Sequence, residues 1–210
     1  MKYISTRGQA PEIEFDEVLL TGLAQDGGLY IPEFWPQFTK KEISNMKGLN
    51  YKELALLIMQ PFIGDSLTTK KLNSIIDEAY SNFTSDQVAP MKSIGNNEYL
   101  LELFHGPTFA FKDIAMQFLG PLFEHYLKLK QKRTTIIGAT SGDTGSAAIS
   151  ALNDRKNINV FVLHPNNKIS KNQRKIMTTI GSNNIYNIAI DGSFDDCQNM
   201  VKSMFNDNEF

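Results

Sequence analysis

The chain is poor in the residues that build disulfides and metal sites. Its 210 residues include one cysteine, Cys197, and three histidines that stand far apart in the sequence. A single cysteine excludes an internal disulfide, and isolated histidines lack the short spacing of metal ligands. We therefore expect Cys197 to be a small core residue and expect no metal site.

Long apolar runs and an excess of one charge are also missing. The longest apolar stretch, LALLIM, is too short to span a bilayer, and the N-terminal residues lack the apolar core of a secretory signal. The 21 basic and 23 acidic residues are scattered, so no basic stripe is present. We expect neither a membrane nor a nucleic acid as partner, and we expect the protein in the cytoplasm.

Helical patterns dominate residues 1–90, which we predict to be a small, mainly helical module. Thr39 and Glu42 have the spacing of a capping box, and LNYKELALLIMQPFIG carries the apolar face of the next helix. In a third helix, TTKKLNSIIDEAYSNF, apolar residues share one side: Leu72, Ile75, Ile76 and Ala79. The segment DGGLYIP is predicted to be a turn that runs into a short extended piece.

After residue 90, strand patterns alternate with helical patterns. The predicted strands are EYLLELF (98–104), TTIIGA (134–139), NVFVLH (159–164) and YNIAI (186–190). This alternation predicts an α/β fold with a parallel sheet covered on both faces. Ligands of such sheets bind beyond the carboxyl ends of the strands, so the loops after the first two strands are the candidate site.

The first of these loops, HGPTFAFKD, contains Lys112 in an apolar setting. Phe109, Ala110 and Phe111 precede the lysine, and apolar residues follow it. A desolvated amine is kept partly neutral and can attack a carbonyl carbon. The alternative is a lysine whose stem lies on the aromatic rings while its ammonium reaches water, beside Asp113. The residues alone leave both interpretations open.

The second loop, GATSGDTGS, offers hydroxyls and glycine amides at the start of a helix. Ser141, Gly142, Thr144 and Gly145 could bind a carboxylate or a phosphate there. Asp143 and Thr144 stand where a nucleotide P-loop needs Gly and Lys, which excludes that motif. Asp143 is either the N-cap of the helix or an acceptor for a hydroxyl of the ligand. A reactive lysine beside an anion-binding loop points to pyridoxal phosphate.

Both loops, together with HPNNKIS and AIDGSFDDCQ, resemble the threonine synthase family of fold type II pyridoxal-phosphate enzymes, which are tryptophan-synthase-β-like. The segment QAPEIEFDEVLLTGLAQDGGLYIPE resembles the N-terminal module of that family. The resemblance implies pyridoxal 5'-phosphate as cofactor, Lys112 as the catalytic Schiff-base lysine and Asp143 as a contact of the ring hydroxyl. It assigns the remaining loop residues to the substrate: Thr140, Ser141, Gly142, Thr144 and Gly145.

The implied reaction converts O-phospho-L-homoserine and water to L-threonine and phosphate. Family members are considerably longer, so residues 91–210 are expected to be the first part of the catalytic region, incomplete at the C-terminus. FNDNEF (205–210) is expected to be the last turn of a helix, and the 210 residues alone are expected to be inactive. A lyase acting on a phosphorylated amino acid and a non-catalytic fragment are the alternatives.

Three further features have less weight. Thr144 is the first candidate for binding the substrate phosphate. Lys168, Lys171 and Arg174 are weaker candidates, and an exposed helix face explains them equally well. His105 is expected to make a structural hydrogen bond. The acidic segment DGSFDD lacks the glycine and glutamate of a calcium loop, so Ser193 and Asp196 are predicted to form a capping box.

Overall fold

The computed structural model describes residues 1–205 and 207. The chain forms two compact units, residues 1–78 and 79–210. Within the described part of the chain, none of the helices has the length and apolar character that crossing a membrane requires. The helical turn expected for FNDNEF lies, apart from Phe205 and Asp207, outside the described residues.

The first unit combines a small antiparallel sheet with four helices. The strands, in the order β2-β1-β3, are β1 (Lys2–Ser5), β2 (Ile13–Glu14) and β3 (Tyr30–Pro32). The helices are α1 (Phe15–Thr21), α2 (Lys40–Asn45), α3 (Tyr51–Ile63) and α4 (Thr69–Ala79). The extended piece predicted after DGG is β3, whereas β1 and its pairing had not been expected.

Local signals place the helices of the first unit. Thr39 and Glu42 form the predicted capping box, in which the Thr39 N–H donates to Glu42 Oε2 at 2.7 Å and the Glu42 N–H donates to Thr39 Oγ1 at 3.2 Å. The predicted apolar side of α4 is confirmed, since Leu72, Ile75 and Ile76 are fully buried. The apolar pattern of the sequence therefore matches the buried side of α4.

Asp26, in the segment before β3, binds the end of β1 and the residues that follow β1. Its carboxylate accepts hydrogen bonds from Ser5 Oγ and from three backbone N–H groups, those of Gln9, Ala10 and Gly28. Partial burial acts to raise the pKa of Asp26, but these hydrogen bonds favour the charged form and lower the pKa to about 2.

In its described residues, the second unit contains a hairpin, a parallel sheet and four helices. The hairpin pairs β4 (Met91–Gly95) with β5 (Glu98–Leu101), and the sheet has the order β6 (Thr134–Ala139), β7 (Ile158–Pro165), β8 (Ile185–Ile190). The helices are α5 (Asp113–Leu129), α6 (Asp143–Leu152), α7 (Lys171–Thr179) and α8 (Phe194–Phe205). The predicted α/β class with a parallel sheet is confirmed.

The placement expected for residues 98–104 is wrong. Only Glu98–Leu101 are extended, and they pair antiparallel with Met91–Gly95 rather than joining the sheet of β6, β7 and β8. All residues of this hairpin are exposed, including the apolar side chains of Met91, Ile94 and Tyr99. An apolar alternating run cannot show which strand it pairs with, so the sequence left this assignment open to error.

The core of the second unit surrounds β7. Alternate and then consecutive residues of this central strand are buried, as expected for a parallel strand covered on both faces. Helices α5 and α6 approach closely, because a Cβ at Gly120 would lie 2.3 Å from the carbonyl oxygen of Ala151. Only glycine allows this separation of the two helices.

The last helix confirms two predictions. The Ser193 N–H donates to Asp196 Oδ2 at 2.7 Å, and the Asp196 N–H donates to Ser193 Oγ at 3.2 Å, which is the predicted capping box. Cys197 is fully buried, and burial raises the pKa of its thiol. Both features are structural.

Candidate active site

The loop before α5 is folded around a buried carboxylate. Asp113 is fully buried and accepts hydrogen bonds from the Thr108 N–H at 2.8 Å and from Thr108 Oγ1 at 2.7 Å. Burial raises the pKa of Asp113, and the Thr108 hydrogen bonds act in the opposite direction. Gly106 lies against the same side chain, since a Cβ there would be 2.4 Å from Asp113 Cβ. These contacts fix the backbone that leads into Lys112.

Lys112 immediately precedes the first residue of α5 and points to a second loop. Its Nζ lies 2.8 Å from Asp143 Oδ2 and 4.3 Å from the centre of the Phe111 ring. The side chain is 28% exposed, and the rings of Phe109 and Phe111 are exposed as well. Among the residues that the structure describes, the Lys112 ammonium is thus partly exposed beside a carboxylate and is not enclosed by apolar side chains. Its partner also differs from the expected alternative, because Asp113 faces Thr108.

Asp143 is the first residue of α6. The N-cap position belongs to Gly142, so the interpretation of Asp143 as the N-cap is wrong. The hydrogen bond from Lys112 is the main reason why the pKa of Asp143 lies below its ordinary value, with further help from the Thr144 backbone. The structure thus joins the two predicted loops through one ion pair.

The loop between β6 and α6 uses part of its hydrogen-bonding capacity internally. Thr140 is buried, and its Oγ1 accepts from the N–H groups of Gly142 at 3.0 Å and Gly145 at 2.8 Å. A hydroxyl oxygen has two acceptor positions, so both are filled. Two of the amides expected to bind an anion therefore donate to Thr140, while Ser141 at the tip of the loop is exposed.

A cavity of about 420 Å³ adjoins the ion pair. Three segments line it: the loop before α5, the start of α6 and one face of α7. Its lining residues are Thr108, Phe109, Ala110, Phe111, Asp143, Ser146, Asn172, Gln173 and Ile176. Cavities of this volume with a few polar groups among apolar walls are typical of small-molecule sites.

The cations proposed from the sequence lie elsewhere. Lys168, Lys171 and Arg174 are not part of the cavity lining, and the Arg174 Nη1 donates instead to Asn167 Oδ1 at 3.2 Å. The neighbouring residues Asn172 and Gln173 face the cavity. The sequence offered a weak signal for this, since the two polar amides stand between the cations Lys171 and Arg174 along α7.

Sequence reasoning also missed the part played by Asp113. Its carboxylate and Thr108 are five residues apart, and that spacing matches no standard capping pattern. His105, in contrast, makes the expected structural contacts. Its Nε2 lies 2.8 Å from Glu102 Oε2, and its Nδ1 lies 3.3 Å from Thr84 Oγ1.

Two family models match the chain. Residues 2–80 match the threonine synthase N terminus, and residues 85–210 match the pyridoxal-phosphate dependent enzymes. The chain belongs to the pyridoxal-phosphate dependent enzyme family. This confirms the resemblance inferred from the two loops, and it agrees with the predicted cofactor.

Similar members of this family are threonine synthases. The chain is 53% identical over 210 residues to threonine synthase of Pseudomonas aeruginosa, covering all of this chain and 45% of the relative. A PLP-bound threonine synthase structure from Brucella melitensis matches with a TM-score of 0.94 and 49% identity, and the yeast enzyme matches with 0.92 and 42%. The chain covers 45% and 44% of those two structures, respectively.

The chain thus spans less than half the length of the relatives that it matches. The TM-scores of 0.94 and 0.92 show that the chain shares the fold of the matched part of these structures.

Proposed function

We propose that this chain supplies the lysine side of the active site of a pyridoxal-phosphate-dependent threonine synthase. The enzyme would convert O-phospho-L-homoserine and water to L-threonine and phosphate. The observation that supports this is the 2.8 Å contact of Lys112 Nζ with Asp143 beside a cavity, within a family-matched region. The small-molecule substrate follows from the family, and its identity is part of the proposal.

The residues present fit the cofactor. Lys112 offers a primary amine that is partly exposed, and Asp143 next to it is an acceptor for a ring hydroxyl. Aromatic rings and the hydroxyls and amides of Thr108, Ser146 and Gln173 line the adjoining cavity. When bound, pyridoxal phosphate supplies an aldehyde and a ring that accepts electrons. Lys112 would hold the aldehyde end, and Asp143 would contact the ring hydroxyl.

Lys112 is also the proposed proton carrier. A free lysine amine can remove a proton from the α carbon of the substrate and return it to another carbon. Asp143 orients the amine by its 2.8 Å hydrogen bond. Lys112 thus transfers the proton, and Asp143 holds the Lys112 amine in position.

The loop of residues 140–145 is proposed to bind the anionic part of the substrate. Ser141 and Thr144 contribute hydroxyls. Thr140 is buried, and its oxygen already accepts two hydrogen bonds from described residues, so its O–H is the group left to donate. The amides of Gly142 and Gly145 keep the Thr140 hydroxyl in place. In this arrangement the two glycines act by shaping the loop.

The central test is to locate the cofactor. The full protein encoded by the gene is loaded with pyridoxal phosphate, reduced with borohydride and analysed by peptide mass mapping. We expect the label on Lys112; a label on Lys92 or Lys128 would refute the assignment. Lys112→Ala should abolish turnover, and Lys112→Arg should not restore it, because guanidinium stays protonated.

Asp143→Asn tests the second assignment. Asparagine has nearly the same shape but lacks the charge that pairs with Lys112. We expect the cofactor's absorption spectrum and its pH dependence to change. An unchanged spectrum would limit Asp143 to a structural part in α6.

Product analysis separates the synthase from a lyase. A synthase releases threonine and phosphate, whereas a lyase acting on a phosphorylated amino acid releases phosphate, ammonia and a keto acid. Formation of ammonia and a keto acid from O-phosphohomoserine would favour the second enzyme. The cytoplasmic location, the boundary near residue 90 and the inactivity of the 210 residues alone stay predictions.

A further inference from the structure

Gln173 of α7 packs on the glycine turn at the start of α6. Gly142 is buried and has φ 139° and ψ −64°, a conformation that residues with a side chain rarely adopt. A Cβ there would lie 2.3 Å from Oε1 and 2.6 Å from Cδ of Gln173. The carboxamide of Gln173 therefore lies directly against the Cα of Gly142.

The Gln173 side chain is itself held in place. Ser170 Oγ donates to Gln173 Oε1 at 2.9 Å, and the Gln173 N–H donates to Ser170 Oγ at 3.2 Å. Ser170 is the N-cap of α7, so these reciprocal hydrogen bonds fix the side chain at the start of its own helix. A fixed carboxamide can define the position of the turn that it touches.

Gly142 links Gln173 to the ion pair. Its N–H donates to Thr140 Oγ1, and its carbonyl oxygen accepts from the Ser146 N–H at 3.0 Å and from Ser146 Oγ at 2.8 Å. Those hydrogen bonds all come from the loop and helix that Gly142 joins. Gln173 provides the contact from outside, and Asp143 follows Gly142 directly. A displacement of the turn would therefore move the carboxylate that contacts Lys112.

We propose that Gln173 is a positioning residue, which fixes the Gly142 turn and through it the Asp143 carboxylate against Lys112. Its link to catalysis rests on the proposed function, whereas its effect on the turn does not. Gln173 also lines the cavity next to Asp143, so the same side chain shapes the space beside the ion pair.

The first experiment uses the full protein encoded by the gene, without cofactor. It measures backbone amide hydrogen exchange in residues 140–146. Gln173→Ala removes the carboxamide, and we expect exchange in this loop to become about tenfold faster while β7 is unchanged. Gln173→Asn, which draws the carboxamide back by one methylene, should give a smaller increase. The control is Lys175→Ala, an exposed position on the same helix.

Wild-type exchange of residues 140–146 in Gln173→Ala would overturn the proposal. If this variant fails to fold, Gln173→Asn decides, and wild-type exchange there has the same meaning. Faster exchange in Lys175→Ala would also contradict it, because the effect would then belong to α7 as a whole.

The second experiment uses the cofactor-loaded protein. We expect Gln173→Ala to shift the cofactor's absorption maximum and to lower kcat, because Asp143 is no longer held against Lys112. Lys175→Ala should match the wild type in both. A change in stability alone, with spectrum and kcat unchanged, would overturn the positioning role. If the wild type makes no threonine, the proposed function fails, and the exchange experiment still decides the role of Gln173 in the turn.

Discussion

Replacing Thr140 with valine removes the acceptor that organises the loop between β6 and α6. Valine has nearly the same shape as threonine, so the packing around position 140 is kept. The hydroxyl oxygen is lost, however, and with it the partner of the Gly142 and Gly145 N–H groups at 3.0 and 2.8 Å. Both glycines are buried, so water does not readily replace the lost acceptor.

The expected loss of stability follows from these two amides. A buried donor left without a partner costs about 1–3 kcal/mol, so two of them cost about 2–6 kcal/mol in free energy of unfolding. Thr140→Ser is the matched control, because it keeps the hydroxyl and loses one methyl group, which is worth about 1 kcal/mol. The difference between the two variants isolates the hydrogen bonds.

Urea unfolding followed by far-UV circular dichroism measures both variants. With a slope of about 2 kcal/mol per molar urea, the Thr140→Val midpoint should fall by about 1–3 M. The Thr140→Ser midpoint should fall by about 0.5 M on the same scale. A Thr140→Val protein within about 0.5 kcal/mol of the wild type would show that the two amides find other partners. Equal losses in both variants would assign the effect to packing.

Two further predictions concern packing and pH. Gly120→Ala should lower the free energy of unfolding by about 1–3 kcal/mol, because the new Cβ would lie 2.3 Å from the Ala151 carbonyl oxygen; Gly181→Ala, with no heavy atom within 4 Å of the new Cβ, should be nearly neutral by thermal melting. The pKa of Asp26 is lowered from 3.8 to about 2, so its stabilising effect is complete above about pH 4 and is lost as the pH falls toward 2. Asp26→Asn should lose that part of the acid dependence of the melting temperature, and an identical acid profile in the two proteins would contradict this.

Local rules explain which parts of the fold could be predicted. The capping boxes at Thr39 and Ser193 and the buried side of α4 depend on residues three or four positions apart, so the sequence reveals them directly. The pairing of β5 with β4 depends on which strand lies beside it. Periodicity is silent on that question, and the strand was assigned to the wrong sheet.

In the candidate site, too, local features could be predicted and contacts between distant residues could not. The two loops were recognisable because their residue types suit an amine and an anion site. The sequence did not show that Thr140 would use two of the loop amides, or that Lys112 would pair with Asp143 across 31 positions. Both contacts depend on backbone geometry and on the packing of α5 against α6, which single residues do not encode.

The close contact of Gly120 with Ala151 lies at the same distance along α5 and α6 from the ion pair at their N-terminal ends. Gly120 lies eight residues after Lys112, and Ala151 lies eight residues after Asp143, which is about 12 Å along each helix. A bulkier side chain at either position would push α5 and α6 apart and increase the distance between the Lys112 amine and the Asp143 carboxylate. The distance between the charged groups of Lys112 and Asp143 therefore depends in part on the contact of Gly120 with Ala151.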